Sequence, residues 1–480
     1  MRAQKTLKEY ICGRTCAILG LGVSNLPLAN LLLSWNLSLT VYDKKTPEEL
    51  GEAALALKKA GVRFVSGNDC FAHPEGELIF RSPGIRPDLP GLLLAKKAGS
   101  ELTSEMALFL RLTAAKTFGI TGSDGKTTST TLTGLFLRAD AERHGRGQVY
   151  VGGNIGTPLL TKSDHMTEAD TAVLELSSFQ LMDLTDAPTF VALTNLSPNH
   201  LDWHRGMEEY IAAKENIVGE NTLRFVTNLE NPIAAEIGRK VAKTGKQEVL
   251  FFTSKRSRPE ELMSDCPKGC QALYERDGQI LHYDGRTEHP LLHVSHIRVP
   301  GRHNIENFMT AMGLTLGLVD PEVYETVADC FTGVEHRLEF VRKLDGVTYY
   351  NSSIDSSPSR TAAALSALKG QDIVVICGGY DKKIPYEPLA KSLCDTVRAV
   401  VLTGATAGKI RDALKACPDY DPTRLTVVSE ADFADAVARA RELARPDGCV
   451  LLSPASASFD RFKNFAERGE VFKALVHGFQ

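Results

Sequence analysis

The chain lacks most of the features that would mark it for an unusual setting. It has no dense cysteine framework: its ten cysteines in 480 residues are scattered, and only Cys12 with Cys16 and Cys266 with Cys270 stand close together. A disulfide scaffold is therefore not expected, and reduced thiols in a cytoplasmic protein are the simpler reading. The pair at 266 and 270, followed by His282 and His289, fits no standard zinc spacing and reads as loop. There is no excess of positive charge either. The formal net charge is −4, which gives no basic field for nucleic acid. Internal repeats and low-complexity tails are absent. No cleavable leader is evident, so the cytoplasm is the default.

One charge-free run, 15–42, is long enough to suggest a membrane span. Gly20, Gly22, Ser24, Asn25, Pro27 and Asn30 interrupt it. It reads better as a strand at 16–19, a glycine loop, a buried helix and a second strand at 38–42, with no membrane insertion. The hydrophobic fraction of 43% and charged fraction of 24% describe a globular chain. At roughly 100–200 residues per domain, two to four domains are expected.

Apolar strand-like runs recur at 16–19, 39–41, 78–80, 118–120, 172–174, 190–193, 224–227, 373–376, 399–402 and 450–452, with alanine- and leucine-rich helical segments between many of them. Such alternation predicts an α/β protein with largely parallel sheets. Breaks near 112–116 and 332–337 divide it into three domains, 1–113, 114–335 and 336–480. The polar stretch 254–296 reads as hairpins or surface loops, and a further strand is expected at 346–350.

Gly119-Ile120-Thr121-Gly122-Ser123-Asp124-Gly125-Lys126-Thr127-Thr128 follows a strand and opens a helix. Glycines in that setting turn backbone N–H groups toward phosphate oxygens, and the helix N-terminus adds partial positive charge. Lys126 is expected at the outer phosphates and Thr127 at a magnesium ion, with Gly122, Ser123, Asp124, Gly125 and Thr128 completing an ATP loop. The spacing is GxxGxxGK[ST] rather than the usual Walker form. Glu175 ends an apolar strand, where a carboxylate is costly unless a cation compensates it. His200 follows another apolar strand, at the edge where such sheets place ligands. Lys214 has Tyr210, Ile211, Ile217 and Val218 as helical neighbours, so it projects from an apolar face.

The phosphate loop resembles that of the Mur ligases, with Ser123-Asp124 where Thr-Asn is usual; folylpolyglutamate synthases share the loop. The run Leu174-Glu175-Leu176-Ser177-Ser178-Phe179-Gln180 resembles the Mur ligases that add D-glutamate, and Leu452-Ser453-Pro454-Ala455-Ser456-Ala457-Ser458-Phe459-Asp460 through Phe465 is close to their pattern. The resemblance covers essentially the whole chain. It implies a Rossmann-like N-terminal domain, a P-loop-type ATPase central domain and a Rossmann-like C-terminal domain. It also implies an ATP-dependent ligase that joins UDP-N-acetylmuramoyl-L-alanine to D-glutamate through an acyl phosphate. Two magnesium sites are implied, with Thr127, Glu175, His200 and Lys214 as metal ligands. Lys214 then matches a carbamylated lysine.

By the same resemblance Asn304, Asn307 and Arg337 contact the nucleotide. Gly22, Val23, Ser24, Asp43, Ser82, Pro83, Gly84 and Asn154 meet the UDP-linked substrate. The first glycine loop has Asn25 where an NAD fingerprint prefers glycine, so dinucleotide binding is disfavoured. Ser356, Lys382, Ser458 and Phe465 match the amino-acid site, where D-glutamate brings two carboxylates that need cations. One departure stands out. The family's Asn-Asp-Ser-Lys-Ala-Thr-Asn is here Asn351-Ser352-Ser353-Ile354-Asp355-Ser356-Ser357, so Ile354 replaces the lysine. Arg360 or Lys383 is expected to supply the missing charge. A monomer is expected. The alternatives are a sister ligase for another amino acid and a non-catalytic nucleotide-binding partner.

Overall fold

The computed structural model describes residues 5–201, 203–382 and 384–480. The chain divides into two compact units. The first runs to His296 and adds Ile305–Val327; the second holds Ile297–Asn304 and Ala328–Gln480. Three sheets carry the architecture, and the α/β alternation read from the sequence is present throughout.

In the first unit, β1 (Cys16–Leu19), β2 (Leu39–Asp43), β3 (Arg63–Ser66), β4 (Leu78–Arg81) and β5 (Glu101–Thr103) form a parallel sheet in the order β3-β2-β1-β4-β5. The charge-free run resolves into β1, the helix Asn25–Ser34 and β2. Among the described residues, no helix is long and apolar enough to cross a membrane.

The second sheet takes in β6 (Lys116–Thr121), β7 (Val149–Gly153), β8 (Thr171–Glu175), β9 (Phe190–Leu193), β10 (Arg224–Asn228), β11 (Glu248–Thr253), β12 (Gln271–Arg276), β13 (Gln279–Tyr283) and β14 (Glu288–His293). Its order is β14-β13-β12-β11-β10-β9-β6-β8-β7. Pairing is parallel from β7 to β12, and the inner strands β6, β8 and β9 are apolar runs because helices cover both faces. The polar stretch 254–296 is a sheet extension: β12, β13 and β14 pair antiparallel. Asp277 and Gly278 both have positive φ (53° and 79°), the backbone that a two-residue hairpin turn requires. Cys266 and Cys270 form no ligand set with the two histidines. His282 bonds Gln271, and His289 bonds Thr287 and Asp284.

In the second unit, β15 (Glu339–Leu344), β16 (Val347–Asn351), β17 (Ile373–Cys377), β18 (Val397–Leu402), β19 (Thr426–Ser429) and β20 (Cys449–Leu452) run in the order β15-β16-β20-β17-β18-β19. Only β15 pairs antiparallel. Along β17, Ile373, Val375 and Cys377 enter one core cluster while Val374 and Ile376 enter the other, the period-two split of a sheet buried on both faces.

Candidate active site

The densest constellation of the first unit lies at the carboxyl ends of β6, β8 and β9. There β6 is flanked by β8 on one side and β9 on the other, a crevice at which open α/β sheets place ligands. The loop after β6 leads into the helix Lys126–His144, whose N-cap is Gly125 in the left-handed region. Two glycines are forced here. A Cβ on Gly122 would meet Thr194 Oγ1 at 1.9 Å, and one on Gly125 would meet Asn307 Oδ1 at 2.5 Å. The loop is held in shape by β9's continuation: Asn195 Oδ1 accepts from Asp124 N (3.0 Å), and Thr194 Oγ1 donates to Asp124 O (2.6 Å). Lys126 Nζ lies over the loop itself, donating to Gly122 O (2.9 Å) and Ser123 O (2.8 Å).

Glu175, at the end of β8, is 2% exposed. Thr127 Oγ1 donates to its Oε2 and Asn154 Nδ2 to its Oε1, each at 2.7 Å. Asn154 also donates its backbone N–H to Glu175 O at 2.8 Å. The approach of β7 to β8 depends on Gly153, where a Cβ would sit 2.2 Å from Glu175 O. Thr127 and Glu175, both expected at the metal, and Asn154, expected at the UDP-linked substrate, are thus one bonded group.

Lys214 sits on the helix Met207–Glu215 and is 1% exposed. Its Nζ donates to Thr121 Oγ1 and Gly122 O, both at 2.9 Å. Burial, then the Lys126 charge, drive its pKa well below that of a free lysine, and Glu175 opposes the shift only weakly. One turn earlier, the Tyr210 hydroxyl meets Ser123 Oγ at 2.9 Å. His200 is exposed, in the left-handed region (φ 54°), with its ring 4.9 Å from that of Phe179. Thr128 is buried in the first turn of the phosphate-loop helix. Asn304 and Asn307 both lie on the helix Arg302–Thr315. Asn304 Nδ2 donates to Pro300 O, and Asn307 Oδ1 accepts from Ser129 Oγ at 3.3 Å. Arg337 is half-buried in the second unit.

The first sheet carries a cavity of about 850 Å³ at the carboxyl ends of its strands, large enough for a nucleotide-sized ligand. Asp43, Ser82 and Gly84 line it, as do Gly20, Lys44, Lys45 and Arg86. Asp43 accepts from Leu21 N (2.8 Å) and Lys45 N (3.0 Å), closing the glycine loop on β2. Gly22, Val23, Ser24 and Pro83 are not among the lining residues, and Val23 is 80% exposed. The sequence reading missed Arg81 and Arg86, the two arginines that support this wall. Arg81 is wholly buried, donating to Pro83 O, Ile85 O and Phe179 O and pairing with Asp183. The strand expected at 78–80 stops one residue before it, and no local signal marks its partners.

In the second unit, the loops after β16 and β20 converge. Lys382 Nζ donates to Ser356 Oγ at 3.2 Å. Arg360 donates to Ile354 O at 3.3 Å, holding the segment that lacks the lysine. Lys383, the other expected cation, lies outside the described residues. Ser458 is buried, and Phe465 opens the last helix with its side chain partly exposed. Arg468, 2% exposed, is a further residue that sequence reasoning missed. It donates to Ser353 Oγ (3.0 Å), Ser353 O (2.8 Å), Ser456 O (3.2 Å) and Ala457 O (3.1 Å), fastening the two loops together. Burial lowers its pKa to about 10.

Comparison with known proteins shows the family. Residues 120–315 match the Mur ligase middle domain, and residues 336–456 match the Mur ligase glutamate ligase domain. The UDP-N-acetylmuramoylalanine–D-glutamate ligase of Ruminiclostridium cellulolyticum is 41% identical, and that of Clostridium beijerinckii 42%, each alignment covering 98% of both chains. Among solved structures, the UDP-N-acetylmuramate-alanine ligase MurC of Thermotoga maritima aligns with a TM-score of 0.54 at 17% identity, over 97% of this chain and 99% of that one, a likeness of fold alone. A phosphate loop backed by a buried carboxylate and a buried lysine, in a chain that matches these relatives from end to end, places the protein in the Mur ligase family.

Proposed function

We propose that the protein forms the amide between the L-alanyl carboxylate of UDP-N-acetylmuramoyl-L-alanine and the amino group of D-glutamate, driven by ATP, in peptidoglycan precursor synthesis. The observation that carries the reading is the joined group of Lys126, Thr127, Asn154, Glu175 and Lys214, in a chain about 40% identical over its length to ligases of that name. The domains 1–113, 114–335 and 336–480 take the UDP portion, ATP and the amino acid respectively. Each holds one of the three sheets. The reaction belongs in the cytoplasm, with the chain acting as a monomer.

The donor set suits magnesium. Glu175 offers a carboxylate and Thr127 a hydroxyl, hard oxygen ligands beside a phosphate loop, with the exposed His200 nearby in sequence to β9. Bound there, magnesium neutralises phosphate charge, which the approach of a carboxylate to ATP requires. The protein's own groups do the rest. Loop N–H groups and Lys126 hold the phosphates in line with the L-alanyl carboxylate, whose oxygen takes the γ-phosphoryl group as the bond to the β-phosphate breaks and ADP leaves. The amino group of D-glutamate attacks the acyl phosphate, and the tetrahedral intermediate expels phosphate to leave the amide.

Lys214 is proposed to work as a carbamate. Its burial favours the uncharged amine, the form that adds CO2 and releases a proton, and the product anion supplies the second metal ligand set. Lys382, with Ser356 and Arg360, is proposed to face the D-glutamate carboxylates in place of the lysine that Ile354 replaces.

The test is phosphate release from ATP with magnesium and UDP-N-acetylmuramoyl-L-alanine, comparing D-glutamate with L-glutamate, L-lysine and meso-diaminopimelate. Release with D-glutamate alone supports the reading. Release with another amino acid keeps the ligase and overturns the substrate.

A further inference from the structure

We propose that Arg86 is a positioning residue that couples the nucleotide-sugar cavity to the phosphate loop and the Lys214 helix. The inference rests on the assignment of that cavity to the UDP-linked substrate. Arg86 lines the cavity from the loop after β4, yet its guanidinium grips the Lys214 helix and the loop before it, beside the central sheet. It holds Glu209 bidentately, at 2.7 and 3.0 Å. It also donates to Trp203 O at 2.8 Å and lies 4.9 Å over the Trp203 ring, while Asp88 fixes its other edge. The pair is strongly committed: Arg86 holds the Glu209 carboxyl at about 2.

Each link beyond Glu209 ends beside a reactive group. Glu209 is in the first turn of the helix that carries Lys214. Its neighbour Tyr210 meets Ser123 of the phosphate loop through its hydroxyl. Glu209 Oε2 also faces His204 Nδ1 at 3.4 Å, a long contact that leaves the nitrogen outside hydrogen-bond geometry. The His204 ring packs edge-on against Tyr210, and its Nε2 meets Ser178 Oγ at 2.9 Å, three residues past Glu175. Burial keeps this imidazole below its usual pKa. Trp203 closes the path from the other side, donating Nε1–H to Gly84 O of the cavity wall. A ligand that moves Arg86 therefore moves the helix of Lys214 and the loop after Glu175 together.

The chain has two tryptophans, so Trp35→Phe leaves Trp203 as the reporter. UDP-N-acetylmuramoyl-L-alanine, added without ATP, is expected to change Trp203 emission, and Arg86→Lys, which keeps the charge but loses the two-point grip, to abolish that change. In turnover, Arg86→Lys and the isosteric Glu209→Gln are each expected to raise KM for the nucleotide-sugar and lower kcat by about tenfold, with KM for D-glutamate little altered. The double variant should be no worse than either single one. A silent Trp203 while calorimetry shows the ligand bound, or additive effects of the two substitutions, would overturn the coupling alone. Failure of the ligand to bind at all would overturn the coupling and the substrate reading together.

Discussion

The phosphate-loop site and the amino-acid site are built on different plans. Around the phosphate loop, the reactive side chains satisfy one another: Glu175 takes Thr127 and Asn154, while Lys214 takes Thr121 and the loop carbonyl of Gly122. Thr121 and Glu175 end neighbouring strands of one sheet and Asn154 follows a third, so their spacing is set by the ladder, while Thr127 and Lys214 are brought to them by helices. In the second unit, the groups matched to D-glutamate ride on loops and on the first turns of two helices, and the order comes from behind. Arg468 is a frame whose donors go to backbone and a serine hydroxyl, and Lys382 and Phe465 stand toward solvent. On the proposed reading, the ATP chemistry is anchored in the sheet. On the same reading, selectivity is left to segments that can change without disturbing it, Ile354 among them.

Substitutions should separate the two plans. The largest effect is expected at the sheet-anchored site. Lys126→Met or Glu175→Ala should lower kcat by about 10³-fold or more, measured by phosphate release, because each removes charge stabilisation of phosphoryl transfer. A loss under about tenfold would break the comparison.

Lys214→Met should be comparably damaging to activity and yet stabilise the fold. The sign follows from the lowered pKa: between the folded value and the ordinary lysine value, the unfolded chain binds a proton that the folded chain does not. Wild-type stability therefore falls as pH is lowered through that window, and the penalty levels off below the folded pKa. In CO2-free buffer, the Tm advantage of Lys214→Met should grow as pH drops from 10 toward 7. An advantage that shrinks over that range would contradict the buried neutral amine.

Effects in the second unit should be smaller and confined to one substrate. Arg468→Lys loses part of its fan of hydrogen bonds and should raise KM for D-glutamate by about tenfold, with KM for ATP unchanged. Arg360→Ala should raise the same KM by about threefold, since its bond to Ile354 O is long and partly exposed. An unchanged D-glutamate KM in Arg360→Ala would leave Lys382 as the cation for that carboxylate.

The same contrast governs what the sequence makes legible. Strands β1, β6, β8, β9, β17 and β20 are apolar runs, and the glycines of the phosphate loop stand at a strand-to-helix junction, so pattern and motif suffice. Lys214 declares itself by its apolar helical neighbours, and its burial follows. Other elements leave weaker traces. β3 and β19 are short and half-exposed, and β7 ends in Gly152-Gly153, glycines needed because a Cβ would strike Leu159 or Glu175. The run 248–253, β11 in the structure, is apolar through its middle yet lies outside the strands expected from the sequence. What no local pattern reveals is pairing across long separations: Arg81 with Asp183, Arg86 with Glu209, Arg468 with Ser353. An arginine in a strand or helix carries no mark of a partner a hundred residues away.

The most direct measurement is isotopic. UDP-N-acetylmuramoyl-L-alanine labelled with 18O in its L-alanyl carboxylate would be incubated with ATP, magnesium and an equimolar mixture of D-glutamate, L-glutamate, L-lysine and meso-diaminopimelate. The products would then be read by mass spectrometry. The account expects one amide product, with the mass of the D-glutamate adduct, and one 18O atom carried into the released phosphate. Unlabelled phosphate, or an adduct of another amino acid, would contradict it.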